Sequence, residues 1–229
     1  RCMTNSQGFW GEASQSSAPS AWWQNTYNPS GESGACYYNV KGDFTGYVIY
    51  DLPFGRGKQF GTNMNRVADA VVGGWKLSAI PTFRGGFPLT LSANDDHSGT
   101  KSLQHRPNCI APPHVLHKQT IGNGLYGYRW FDPASYQEPG DGYFGSCSVS
   151  SVYGPGEQNI DASLAKIFSI TDHQNVEFRA EFLNAFNHTI LDAPSNGGID
   201  IANPDGGTIG QINKSEGARN IQFALKYNF

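Results

Sequence analysis

The sequence is poor in charged residues. Only 15% of its 229 residues are Asp, Glu, Lys or Arg, against about 25% in a typical soluble domain. Its net charge of -3 argues against a nucleic-acid partner, which normally binds a basic surface. The chain also lacks any run of about 18 apolar residues, so it offers no transmembrane helix. The sequence is still compatible with a membrane protein, because a transmembrane β-strand needs only about 10 residues with every second one apolar.

Motifs for catalysis and metal binding are also lacking. No Gly-x-Ser-x-Gly sequence is present, so the many serines and histidines form no recognisable hydrolase pattern. His114 and His117, and the run Asp95-Asp96-His97, are interpreted as solvated loop residues and not as metal ligands. We therefore predict no enzyme activity, no catalytic residue, no metal site and no cofactor. A hydrolase acting through loop Ser and His side chains is kept as an alternative.

The cysteines do not pair as metal or redox motifs. Cys2, Cys36, Cys109 and Cys147 form no CxxC sequence, which disfavours a zinc ribbon or a thioredoxin-type site. An even number of widely spaced cysteines in sequence rich in Gly, Ser and Asn is typical of disulfides in an oxidising compartment. Three connectivities are possible. We favour the nearest-neighbour pairing, Cys2 with Cys36 and Cys109 with Cys147, over free buried thiols.

Apolar residues instead recur with a period of two. This pattern predicts antiparallel strands, joined by long loops rich in Gly, Asn and Ser and by short connections, one with a short helical stretch across 65–72. The predicted strands are 43–54, 75–91, 158–170, 176–187 and 219–229, and the long loops are 1–42, 92–157 and 188–218. The predicted fold class is all-β, with antiparallel up-and-down strands.

Two features favour a transmembrane β-barrel over a soluble sheet. Aromatic residues such as Phe54, Trp75 and Tyr227 lie near strand ends, as in the interfacial girdles of membrane barrels. The connections also alternate strictly between short and long, which a barrel requires. The alternative is a soluble secreted β-protein that binds carbohydrate.

Some polar and aromatic positions suggest functional surfaces. Glu177, Arg179 and Glu181 share one face of the fourth strand, and we expect them to face a wet barrel lumen. Loop aromatic residues either stack on sugar rings or hold the long loops together, and both interpretations stay open. These residues are Trp22, Trp23, Tyr27 and Trp130.

Several separated motifs keep a shared order and spacing. In chain order they are Tyr50-Asp51-Leu52-Pro53-Phe54-Gly55, Gly73-Gly74-Trp75, Gly85-Gly86-Phe87-Pro88-Leu89, Asn159-Ile160-Asp161-Ala162-Ser163-Leu164-Ala165-Lys166 and Phe178-Arg179-Ala180-Glu181-Phe182-Leu183-Asn184-Ala185-Phe186-Asn187-His188. From about residue 37 onward the chain resembles the barrel of the Oar-like TonB-dependent outer-membrane receptors. These are abundant in Acidobacteria and often carry a carboxypeptidase-regulatory-like domain. The chain departs from them at residues 38–43, where the family usually has an Asp and a His.

The resemblance implies a receptor and transporter in the bacterial outer membrane. Such a protein captures a ligand (a siderophore, an oligosaccharide or similar) with its outer loops and imports it when TonB displaces a plug. The implied partners are outer-membrane lipid, the remaining strands and plug of the receptor, TonB and the barrel-assembly machinery. The last strand, with Phe223, Leu225, Tyr227 and Phe229, is similar to the signal that this machinery reads.

Five strands are too few for a closed barrel. Single-chain barrels start at about eight strands, and the resemblance implies about 22. We therefore expect residues 1–229 to be the C-terminal segment of a longer barrel. If Phe229 lies at the periplasmic end, the short connections are periplasmic, and the three long loops with all four cysteines lie outside.

Overall fold

The computed structural model describes residues 3–4, 23–36, 38–93, 95–101, 105–120, 128–171, 173–195 and 208–229. The chain divides into two compact units. The loop unit consists of Arg1–Gly42, Arg84–Glu157 and Leu191–Glu216, and the sheet unit of Asp43–Phe83, Gln158–Ile190 and Gly217–Phe229. Among the described residues, no helix is both long and apolar enough to cross a membrane.

The sheet unit is built on a six-stranded sheet. Its strands are β1 (Asp43–Thr45), β2 (Val48–Asp51), β3 (Trp75–Arg84), β4 (Glu157–Ser169), β5 (Asn175–Leu183) and β6 (Asn220–Asn228). The order is β6-β5-β4-β3-β1, with β2 also paired to β3. From β2 to β6, strands that follow one another in the sequence are therefore neighbours, and the pairs β2–β3, β4–β5 and β5–β6 are antiparallel. The predicted fold class is confirmed.

The strand expected over 43–54 is divided into β1 and β2 at a proline of the neighbouring strand. Gly46 donates its N–H to the carbonyl of Pro81 at 2.9 Å. Pro81 has no N–H to donate in return, so the ladder lacks one hydrogen bond at this point. The pairing is interrupted between Thr45 and Val48 for this reason.

Local signals explain how two other elements begin and end. Helix α1 (Arg66–Val72) begins after Asn65, whose side chain accepts a 2.7 Å hydrogen bond from the Ala68 N–H, as an N-cap residue does. Strand β5 ends at Leu183, before the predicted end at 187, because Asn184 and Asn187 have φ values of 50° and 53°. Asn tolerates this left-handed region better than most residues, and a strand cannot continue through it.

The loop unit contains only short regular elements around an apolar core. Leu89, Leu91, Phe131, Ile209 and Ile212 are almost completely buried there. Its strands and 3-10 helices are Met3–Thr4, Pro29–Glu32, Gly34–Ala35, Pro88–Leu89, Asn108–Cys109, Val115–Thr120, Tyr128–Phe131, Pro133–Ser135, Tyr136–Gln137, Val152–Tyr153, Gln211–Ile212 and Ser215–Glu216; Ile190–Leu191 is a further short strand.

Candidate functional site

The six-stranded sheet has one face, here called the apolar face, that is almost entirely hydrophobic. The register places Phe178 of β5 opposite Leu225 of β6, and Ala180 opposite Phe223. The Phe178 ring stacks on Phe223 at 6.2 Å between centroids and meets the Trp75 ring edge-on at 6.1 Å. Phe223 and Leu225 are nevertheless 71% and 74% exposed. A contiguous exposed apolar surface of this kind marks contact with another protein or with a membrane.

The residues predicted as an assembly signal lie on β6 and directly after it. Phe223, Leu225 and Tyr227 point to the apolar face, and the Phe229 ring stacks on Tyr227 at 5.9 Å between centroids. Recognition of these residues by the barrel-assembly machinery stays a prediction.

The opposite face of the sheet, here called the polar face, carries the predicted charged row. Arg179 lies between its neighbours, with Nη2 2.8 Å from Glu177 Oε1 and Nη1 3.4 Å from Glu181 Oε1. Lys226 of β6 lies opposite Glu177 in the register. The structure therefore brings the three predicted lumen residues together and separates them from the apolar face.

One cation on the apolar face is not part of the predicted apolar pattern. Lys166 of β4 lies opposite Phe178, is 4% exposed and donates to the carbonyls of Asp69 and Gly73. Its Nζ lies 5.1 Å from the centre of the Phe168 ring, a cation–π contact. These contacts attach the connection that contains α1 to the sheet. The signal in the sequence is the break in apolar alternation at Lys166.

The motif at the end of β5 forms a turn held by one buried amide. Asn184 is 5% exposed, and its side chain donates to the carbonyls of His188 (2.7 Å) and Gly217 and accepts from the His188 N–H (2.9 Å). The Asn184 N–H donates to Asp161 Oδ1 at 2.8 Å. Asn187 accepts from the Arg219 N–H at 3.1 Å. These contacts give the Leu183–His188 motif a structural role.

A buried ion pair joins two long loops inside the loop unit. Arg106 Nη1 and Nη2 lie 2.7 Å and 2.9 Å from the two carboxylate oxygens of Glu32, and the side chains are 4% and 2% exposed. Gln24 accepts from the Arg106 N–H at 2.7 Å and donates to the Gly145 carbonyl at 2.9 Å. A side chain at Gly145 would clash with the Arg106 carbonyl. Sequence reasoning missed this network, because charged residues in irregular sequence are normally solvated.

The three described cysteines lie in the loop unit. Cys109 and Cys147 form a disulfide, as the favoured pairing has it, and Cys36 is also disulfide-bonded. Cys2 lies outside the described residues.

The loop aromatic residues differ in their surroundings. Trp130 is only 9% exposed, and its indole N–H donates to the Tyr153 carbonyl at 2.8 Å. The packing interpretation therefore applies to Trp130, whose ring is not presented to a ligand. Tyr27 is 95% exposed and Trp23 is half-buried, whereas Trp22 lies outside the described residues.

A histidine in the loop unit is paired with two carboxylates. His97 Nδ1 lies 3.0 Å from Asp141 Oδ1, and Nε2 lies 3.5 Å from Glu138 Oε2. The hydrogen bond to Asp141, with the charge of Glu138, raises the pKa of His97 against the opposing effect of burial. Nearby, burial raises the pKa of Tyr136 to about 12.

The two units distribute their apolar side chains in opposite ways. Of the 14 described hydrophobic residues that are buried, 13 lie in the loop unit and only Ala180 lies in the sheet unit. Of the 28 large hydrophobic residues that are exposed, 23 lie in the sheet unit. The loop unit therefore resembles a water-soluble domain, and the sheet unit requires an apolar surrounding.

Comparison with known proteins identifies the family of the chain. The family model of the outer membrane beta barrel domain matches residues 1–222. No curated protein and no solved structure matches the chain.

Proposed function

Since the chain belongs to the outer membrane beta barrel domain family, we propose that it is part of a TonB-dependent receptor that captures and imports a ligand. Its place is the bacterial outer membrane. In this proposal the apolar face contacts lipid, the polar face lines the lumen, and the loop unit meets the ligand outside the cell.

The observation that carries the proposal is the opposite distribution of apolar residues in the two units. Large side chains such as Phe223 and Leu225 are exposed on the sheet, which is unfavourable in water and favourable in hydrocarbon. The three segments of the loop unit also match the long loops predicted to lie on one side of the membrane. Disulfides in that unit fit an oxidising exterior.

The strand count further supports membership of a longer barrel. The order of the described sheet ends at β6 on one side and at β1 on the other. Open sheet edges do not occur in the hydrocarbon region, so we propose that further strands pair with these two edges.

Uptake measurements in cells test the transport role. Labelled ferrichrome and labelled maltohexaose are supplied to the host strain, to a strain without this protein and to a strain without TonB. We expect uptake of one probe to be lost in both deletion strains, while the amount of receptor in the outer membrane is unchanged without TonB. Uptake that continues without TonB would contradict the proposal. Recovery of the protein as a detergent-free soluble monomer would contradict lipid contact at the apolar face.

A further inference from the structure

An open groove of about 550 Å³ lies within the loop unit. Its lining comes from two segments of the chain, here called the Ile and Pro side, with Ile110, Pro112 and Pro113, and the serine side, with Ser146 and Ser148. The volume is in the range of small-molecule sites, about 300–1,000 Å³. The groove is therefore large enough for two or three rings of a ligand.

The two sides of the groove are joined before any ligand binds. The disulfide between Cys109 and Cys147 connects them directly. The Cys109 N–H also donates to Ser146 Oγ at 3.2 Å, and the Ser146 N–H donates to Asn108 Oδ1 at 3.0 Å. A site held in this way loses little conformational entropy when a ligand binds.

The lining of the groove is neutral and divided by chemistry. No charged side chain is among the described residues that line it. The serine side offers hydroxyl groups, each of which can donate and accept hydrogen bonds, and Ser146 and Ser148 are exposed. The other side offers C–H surface, with Ile110 59% exposed. A charged ligand would find no counter-charge here.

We propose that this groove binds a neutral oligosaccharide. The hydroxyl groups of such a ligand match the serine side, and the C–H faces of its rings match the Ile and Pro side. The inference rests on the proposed receptor function and names the ligand class for it. An anionic ligand, such as a carboxylated sugar, is disfavoured because its charge would lose water without gaining a partner.

Binding to the protein purified from outer membranes in detergent tests the proposal. The probes are maltohexaose, cellohexaose and xylohexaose, with hexagalacturonate as the anionic counterpart, and binding is followed by saturation-transfer NMR and calorimetry. We expect a neutral probe to bind and hexagalacturonate not to bind. Ser148→Arg, which places a long charged side chain in the groove, should weaken binding at least tenfold. The matched control is Ser215→Arg, at an exposed serine of the loop unit that does not line the groove.

Other outcomes would overturn the inference. They are the absence of binding by all three neutral probes, preference for hexagalacturonate, or equal effects of Ser148→Arg and Ser215→Arg. The result is separable from the receptor function. TonB-dependent uptake of ferrichrome that Ser148→Arg leaves unchanged would reject the groove and keep the receptor. Oligosaccharide binding at the groove without TonB-dependent uptake would keep the groove as a binding site and reject the receptor function.

Discussion

The loop unit and the sheet unit of one chain are stabilised by different surroundings. The loop unit buries Leu89, Leu91 and Phe131 and closes a disulfide, so its interior resembles that of a protein folded in water. The sheet unit exposes large hydrophobic side chains along its strands. The comparison teaches that regular alternation along a strand does not imply a buried core. In the sheet, apolar surroundings replace the contacts that a buried core would supply.

The largest effect is expected from breaking the buried ion pair of the loop unit. Arg106→Met leaves the Glu32 carboxylate buried without its partner, which typically costs about 3–5 kcal/mol. We expect hydrogen-exchange protection in the loop unit to fall by a corresponding factor, while the sheet unit is unaffected. The double variant Arg106→Met with Glu32→Leu is the control and should recover much of the loss. Equal losses of hydrogen-exchange protection in both units would contradict the proposed difference between them.

Removal of the disulfide should also affect one unit only. Cys109 and Cys147 are separated by 38 residues, for which loop-closure entropy gives about 3–4 kcal/mol. The variant with both cysteines replaced by Ser should therefore lose protease resistance in the loop unit. The heat-dependent gel mobility typical of folded barrels is the readout for the sheet and should not change. A loss of this mobility shift would show that the sheet depends on the loops.

A charge on the apolar face distinguishes lipid from water as its surrounding. Leu225→Arg should reduce the stability of the membrane-embedded sheet by about 2–4 kcal/mol if Leu225 contacts hydrocarbon near the midplane. The same change at a site exposed to water alters stability by only about 0.5 kcal/mol. Gln222→Arg is the matched control, since Gln222 lies on the polar face opposite Glu181. Urea titration in lipid vesicles measures both variants, and equal tolerance would exclude lipid contact at Leu225.

A smaller effect is expected at the buried cation of the sheet unit. Lys166→Met removes the donor to the carbonyls of Asp69 and Gly73, and unsatisfied buried groups cost about 1–3 kcal/mol. Lys226→Met, at an exposed position of the polar face, should change the free energy of unfolding by less than about 0.5 kcal/mol. The same urea titration compares the two. If Lys226→Met is the more damaging change, Lys166 does not attach the α1 connection to the sheet.

The smallest effect is a pH dependence confined to the loop unit. The pKa of His97 is raised in the folded protein, so protonated His97 stabilises the fold. This contribution is complete below the ordinary pKa of about 6.5 and is lost as the pH rises through the higher folded value. Exchange protection of the Gly142 N–H, which donates to the His97 carbonyl at 2.7 Å, should decrease over that range. His97→Gln should remove the pH dependence. A pH dependence that persists in this variant would come from another titrating group.

The strands were predictable from the sequence, whereas the interior of the loops was not. Alternation such as Val176, Phe178 and Ala180 depends only on neighbours two residues away, and β3 to β6 correspond to four of the predicted strands. The contact between Glu32 and Arg106 joins residues 74 positions apart in irregular sequence, and no local period reports it. The burial of Trp130 was also not predictable, because its neighbours in the sequence do not show whether a loop ring is packed or exposed to a ligand.

The close approach at Gly145 has a consequence for sequence drift. Surface loops normally diverge quickly because insertions and substitutions there disturb little. Position 145 is constrained by the backbone of Arg106. Natural variants of this protein should therefore change freely at exposed neighbours such as Tyr143 while keeping glycine at 145, including variants in which the Glu32–Arg106 pair is replaced.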